Sequence, residues 1–148
     1  MINYYGKQRQ FKLNLAAFGL FLIFVLNVNN NSAQKNFVSD ADVKFENEAY
    51  FTAIDLYKKG EVKEKDIREK GRINFQLAEC YRYSVEPAQA QTYYQRAIKL
   101  KFQEENQEIF LLLADVLKEQ GEYQSALENI NKFLELNPED KKLSLIHI

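Results

Sequence analysis

Bulky and small apolar residues alternate with polar ones at helical spacing along most of the chain. Near the C-terminal end they fall at Phe110, Leu113, Ala114 and Leu117, and again at Ala126 and Ile130. Steps of three and four residues place each set on one face of a helix. Gly121 and Tyr123 interrupt the pattern, and Pro138 closes it. This predicts two helices joined by a tight turn. The layout recurs upstream at Leu77, Ala78, Tyr81, Ala90, Tyr94, Ala97 and Ile98, with Pro87 suited to the first turn of a helix. A more diverged copy runs through Ala41, Phe45, Tyr50, Ala53, Ile54 and Tyr57. Ala53, Ala90 and Ala126 occupy matching places, at spacings of 37 and 36 residues. The chain is therefore expected to be all-α, with about three helix pairs. Small residues at the alanine positions allow two backbones to approach, and Leu77, Tyr81, Tyr94, Leu113, Leu117 and Ile130 fill the grooves beside them. One such pair cannot bury its own apolar face, so the pairs must stack.

The first third reads differently. Lys7, Arg9 and Lys12 come without an acid, residues 13–28 form an apolar run, and Ala33 follows a polar stretch. That order describes a secretory signal peptide over residues 1–33, cleaved after Ala33. An uncleaved anchor is the alternative, although the run is shorter than the ~18–20 residues a spanning helix needs. With no Cys at the exit, lipid attachment there is not expected. The protein is expected to be exported, and to meet a membrane only through this segment.

Composition narrows the chemistry. Five glycines and two prolines in 148 residues suit a helical chain. A formal charge of −1 gives no reason to expect a nucleic-acid partner. The single cysteine, Cys80, excludes an internal disulfide and has no histidine partner, since His147 is the sole histidine. Cys80 is read as an inert core thiol. No phosphate loop, nucleophile elbow or metal-ligand spacing is present. No catalytic residue, metal or cofactor is expected, and the carboxylates Glu104 and Glu105 read as solvated loop charge.

The repeated unit resembles the tetratricopeptide repeat. Phe110 takes the place of that motif's Trp, Leu113 and Ala114 its Leu-Gly pair, Leu117 its Tyr, Ala126 its small residue and Pro138 its Pro. In the middle unit Asn74 stands at the Trp place with Phe75 beside it. The resemblance implies a helical solenoid with repeats at about 34–67, 71–104 and 107–140. It also implies a concave face lined by the first helix of each pair. Val38, Phe75 and Leu111 would give that face an apolar column, and Asp42, Glu79 and Asp115 an acidic one, with Phe45, Arg82, Lys118, Glu46, Tyr83 and Glu119 alongside. Asp42, Phe75, Glu79, Tyr83, Leu111 and Asp115 are the candidate partner-binding residues, for a protein segment mixing basic and apolar side chains. The same charges also suit simple i,i+3 ion pairs, Glu79 with Arg82 and Asp115 with Lys118. The three carboxylates have the wrong sign for the chaperone-binding members of the family, which clamp a C-terminal carboxylate with basic residues.

Residues 41–140 are similar, more narrowly, to the N-terminal repeats of Bacteroidetes envelope proteins. In these, the repeats precede a β-propeller and an OmpA-like peptidoglycan-binding domain, and some members belong to type IX secretion. That resemblance implies a periplasmic or outer-membrane-associated scaffold. Its partners would be envelope proteins, and its link to peptidoglycan would lie in a domain beyond this chain. A purely structural module, packing on a downstream domain or on a second copy, is the alternative role. Residues 141–148 read as a tail. Within it "LSLIHI" (143–148) is what CTG TCT CTT ATA CAC ATC encodes, a string that resembles the end of transposase library adapters, so these residues are expected to be a sequencing scar on a fragment, with a natural short tail as the alternative.

Overall fold

A computed structural model describes residues 37–138. The expected signal segment 1–33, the start of the first expected repeat and the tail 141–148 lie outside the described residues. The described residues are all helix or short turn, with no strand among them. The first helix, α1, covers 37–46. It is followed by α2 (Tyr50–Lys63), α3 (Ile67–Tyr83), α4 (Pro87–Lys99), α5 (Ile109–Glu119) and α6 (Tyr123–Leu136), with a 3-10 turn at Phe102–Glu104 before α5. Each helix packs chiefly on its neighbours in sequence, giving three stacked pairs. This is the helical solenoid that the pattern predicts. The chain divides at Asn36/Phe37 into two units, and the whole described core lies in the second.

The turn inside each pair is built the same way three times. Glu48, Val85 and Gly121 adopt left-handed backbone conformations, with φ of 58°, 59° and 78°. The next residue, Ala49, Glu86 or Glu122, then donates its N–H to Lys44, Tyr81 or Leu117 across 2.9 Å. That six-to-one bond, a Schellman closure, ends the first helix of the pair. The residue donating it is also the N-cap of the second helix, so no residue is spare. Only the third turn has the glycine that this conformation favours. Between pairs, the N-cap of α3 is Asp66, whose carboxylate accepts from the backbone N–H of Arg68 at 2.8 Å and of Glu69 at 3.3 Å.

The core follows the small-and-large alternation. Ala41, Ala53, Ala78, Ala90 and Ala97 are fully buried, while Tyr57, Ile73, Leu77, Tyr94 and Ile109 fill the space they leave. Gly60 takes the place of Ala97 in the first pair, where a Cβ would come within 2.6 Å of Val38 Cγ2. Asn74, at the Trp place, is buried too. Its amide donates to Glu61 Oε1 on α2 at 2.9 Å and to the Lys70 carbonyl at 2.8 Å, tying α3 to α2. A polar substitute thus does by hydrogen bonding what an indole does by bulk.

Val85 is a β-branched residue held in a left-handed conformation while 82% exposed, so its side chain adds strain without packing. Val85→Gly is expected to stabilise the 37–148 unit by about 0.5–1 kcal/mol, and Gly121→Ala to destabilise it by about 1 kcal/mol. Urea unfolding followed by circular dichroism checks both signs.

Candidate functional site

The face formed by α1, α3 and α5 carries the acidic column, and the structure treats its three carboxylates differently. Asp42 accepts a hydrogen bond from the Tyr57 hydroxyl on α2 at 2.5 Å. It also accepts from Arg72 of α3, Nη1 to Oδ1 at 3.0 Å and Nη2 to Oδ2 at 3.3 Å. Arg72 in turn grips Glu69, its Nη2 lying 2.8 Å from Oε1. Burial works against the charge on Arg72, but the hydrogen bonds to Glu69 and Asp42 outweigh it and its pKa rises. Asp42 therefore fastens the first pair to the second, alongside the Asn74–Glu61 bond.

Glu79 is only 8% exposed. It accepts from the Tyr94 hydroxyl on α4 and from Arg82, whose Nη2 lies 2.6 Å from Oε2. Charge-assisted bonds of this kind are about twice as strong as neutral ones. The Glu79 contact raises the Arg82 pKa further. Burial first, and then the Glu79 charge, raise the Tyr94 pKa, and Tyr57 is raised by burial and Asp42 in the same way. Asp115 has no such setting. Its one ionic partner among the described residues is Lys118 at 3.3 Å, with both side chains about half exposed or more.

The apolar candidates divide similarly. Phe75 is half-buried, its ring 5.9 Å from Tyr94 and 5.1 Å from Phe102. Tyr83 is 48% exposed, but it stacks on Tyr50 at 5.0 Å and carries the Arg82 guanidinium 4.3 Å from its centroid. Leu111 is half-buried against the core. So Phe75, Glu79 and Tyr83 are linked through Tyr94 and Arg82, Asp42 is held separately by Tyr57 and Arg72, and Leu111 and Asp115 belong to a third pair without those contacts. Both i,i+3 ion pairs are present. The residues that sequence reasoning overlooked are Tyr57, Tyr94 and Arg72. A signal was available: each tyrosine follows its carboxylate by 15 residues, and the same step from Asp115 lands on Ile130.

Cys80 is fully buried, and burial followed by the Glu79 charge pushes its thiol up to about 12. Such a thiol is a packing group, not a nucleophile at neutral pH. Among the described residues no group of three His, Cys, Asp or Glu is placed to hold a metal ion, and no helix is long and apolar enough to cross a membrane.

Stacked antiparallel pairs with this turn and this alternation of small and large residues define an α-solenoid. Within it, residues 71–104 and 107–140 each match the model of the tetratricopeptide repeat family. The α1–α2 pair lies outside those matches yet reproduces their turn and the tyrosine–carboxylate bond of residues 71–104. A search among curated proteins returned no match.

Removing Glu79 leaves Arg82 and Tyr94 without their acceptor. Glu79→Ala is expected to cost about 2–3 kcal/mol, reduced because Arg82 is partly solvated, and Asp115→Ala less than about 0.5 kcal/mol. Denaturant unfolding distinguishes the two. The raised tyrosines also set an alkaline limit. In the unfolded chain a tyrosine ionises near 10, whereas in the folded one it keeps its proton to higher pH. The resulting stabilisation is complete below about pH 10 and is lost as the pH rises above it. Tyr94→Phe should flatten that loss in thermal melts taken between neutral and strongly alkaline pH.

Proposed function

We propose that the chain is a non-enzymatic docking scaffold of the cell envelope, gripping an extended segment of another protein on the face formed by α1, α3 and α5. Tetratricopeptide repeats generally mediate protein–protein interaction and are generally non-enzymatic. The observation that carries the finer reading is the surplus of carboxylate on that face. Glu46, Glu108 and Glu119 are exposed and have no ion pair among the described residues, and Asp115 shares only a loose one. A segment mixing Arg or Lys with aliphatic side chains complements them, with Leu111 as an apolar contact. Asp42 and Glu79 act by holding the face in shape, and Phe75 and Tyr83 by packing beside them.

Support for the envelope comes from the N-terminal pattern of Lys7, Arg9, Lys12, the apolar run 13–28 and Ala33. It comes also from the likeness to Bacteroidetes scaffolds that act near peptidoglycan and type IX secretion. Fusion of residues 1–36 to an alkaline phosphatase that folds only after export should give an active reporter, and an inactive one removes this part of the reading. For the docking face, an array of extended peptides graded in charge is probed with the 37–148 unit. Basic–apolar peptides should bind, and a combined Asp115→Lys and Glu119→Lys variant should bind them at least tenfold more weakly. Equal binding by the folded variant would sink the assignment.

A further inference from the structure

On α6, Tyr123, Leu127, Ile130 and Leu134 form one stripe, separated by four, three and four residues. Tyr123 is 69% and Leu127 40% exposed, while Ile130 and Leu134 are half-buried against the core. Ala126, Asn129 and Phe133 are the buried residues of α6. The stripe lies about a quarter-turn away from them, by the ~100° advance per residue of a helix.

The corresponding stripes of α2 and α4 receive the first helix of the next pair, and both do so with polar atoms. Glu61 of α2 accepts from Asn74 of α3 at 2.9 Å, and Gln91 of α4 accepts from Gln120 of α5 at 3.0 Å. Tyr57 and Tyr94, in the place of Ile130, bond to carboxylates within their own pairs. In α6 the place of Gln91 is taken by Leu127, that of Tyr94 by Ile130 and that of Pro87 by Tyr123. This stripe offers no hydrogen-bonding atom to an arriving repeat helix except the terminal Tyr123 hydroxyl. Its four-three-four spacing is that of a two-stranded coiled-coil seam. One margin is formed by Gln124 and Asn131 and the other by Ala126 and Phe133, so no like charges face each other when the stripe meets its own copy. Docking onto the opposite end of another copy is disfavoured: where α5 presents Leu113 and Leu117, α1 presents exposed Asp40 and Lys44.

We infer that the α6 stripe is a homodimer seam, pairing antiparallel with the α6 of a second copy. The contact is isologous, as a two-fold axis requires, and the antiparallel arrangement opposes the helix dipoles. Leu127 then faces Ile130 of the other copy, and Tyr123 faces Leu134. A seam of one helix per copy falls at or below about 1,200 Å2 of total buried surface, the size of weak interfaces, so the dimer is weak and concentration-dependent. This inference does not depend on the peptide-docking face, which lies on the first helices.

The test is sedimentation velocity on the 37–148 unit across a concentration series. The wild type should pass from monomer to dimer. Leu127→Glu, at a position open enough to keep the fold, should raise the dissociation constant at least tenfold with an unchanged circular dichroism spectrum. Val62→Glu, on the 85% exposed Val62 of α2, should leave it unchanged. A second readout keeps the inference open to failure if Leu127→Glu unfolds. Oxidation of a mixture of Leu127→Cys and Ile130→Cys proteins should give more crosslinked dimer than either protein alone. A monomer at every concentration, a dimer indifferent to a folded Leu127→Glu, or crosslinking no better in the mixture would each overturn the seam.

Discussion

The buried carboxylate of Glu79 is the constraint around which the middle of the solenoid is arranged. An ionised group almost out of water must be given donors, or the fold loses more than packing returns. Tyr94 supplies one from the second helix of the pair, and Arg82 supplies a charged one from Glu79's own helix. Each donor is then fixed by what it touches next. Arg82 lies against Tyr83, which stacks on Tyr50, and Tyr94 lies against Phe75, which meets Phe102. A line of polar and aromatic contacts thus runs from the start of α2 to the turn after α4. Asp42 plays the same part in the first pair, with the difference that its guanidinium, from Arg72, arrives from the next repeat.

This arrangement explains why residues at equivalent places in the repeat serve different ends. A carboxylate given a tyrosine and an arginine is a structural fastening. A carboxylate given only a solvated lysine, as Asp115 is, stays available to whatever approaches. The division follows two differences in the third pair: Ile130 where the other pairs have tyrosine, and a lysine in place of an arginine beside the carboxylate. The isoleucine also completes the apolar stripe of α6. Loss of a buried hydroxyl therefore removes one donor from the inner acidic surface and extends an outer apolar one.

Much of the fold was legible in the sequence, because helical periodicity and the recurrence of Ala53, Ala90 and Ala126 are signals that tertiary context does not override. The turn at Gly121 and the helix start at Pro87 could also be read. The turns at Glu48 and Val85 could not, since neither residue favours a left-handed backbone and only the closing hydrogen bond reveals it. Asn74 looked like a weak match at the Trp place, and its bond to Glu61 depends on α2, whose relation to α3 no local pattern encodes. Of the candidate site, the acidic column was legible as a column. That Glu79 is buried while Asp115 is exposed was not, because burial depends on the second helix of each pair, 15 residues further along.

In a linear stack each unit is stabilised only by itself and its immediate neighbours. Ile130 deprives the third pair of its tyrosine bond, and no guanidinium fastens Asp115 as Arg72 fastens Asp42. The cooperativity of the array is therefore uneven along its length. Local opening should be easier in the third pair than in the middle one, whose helices α3 and α4 are tied together through Glu79.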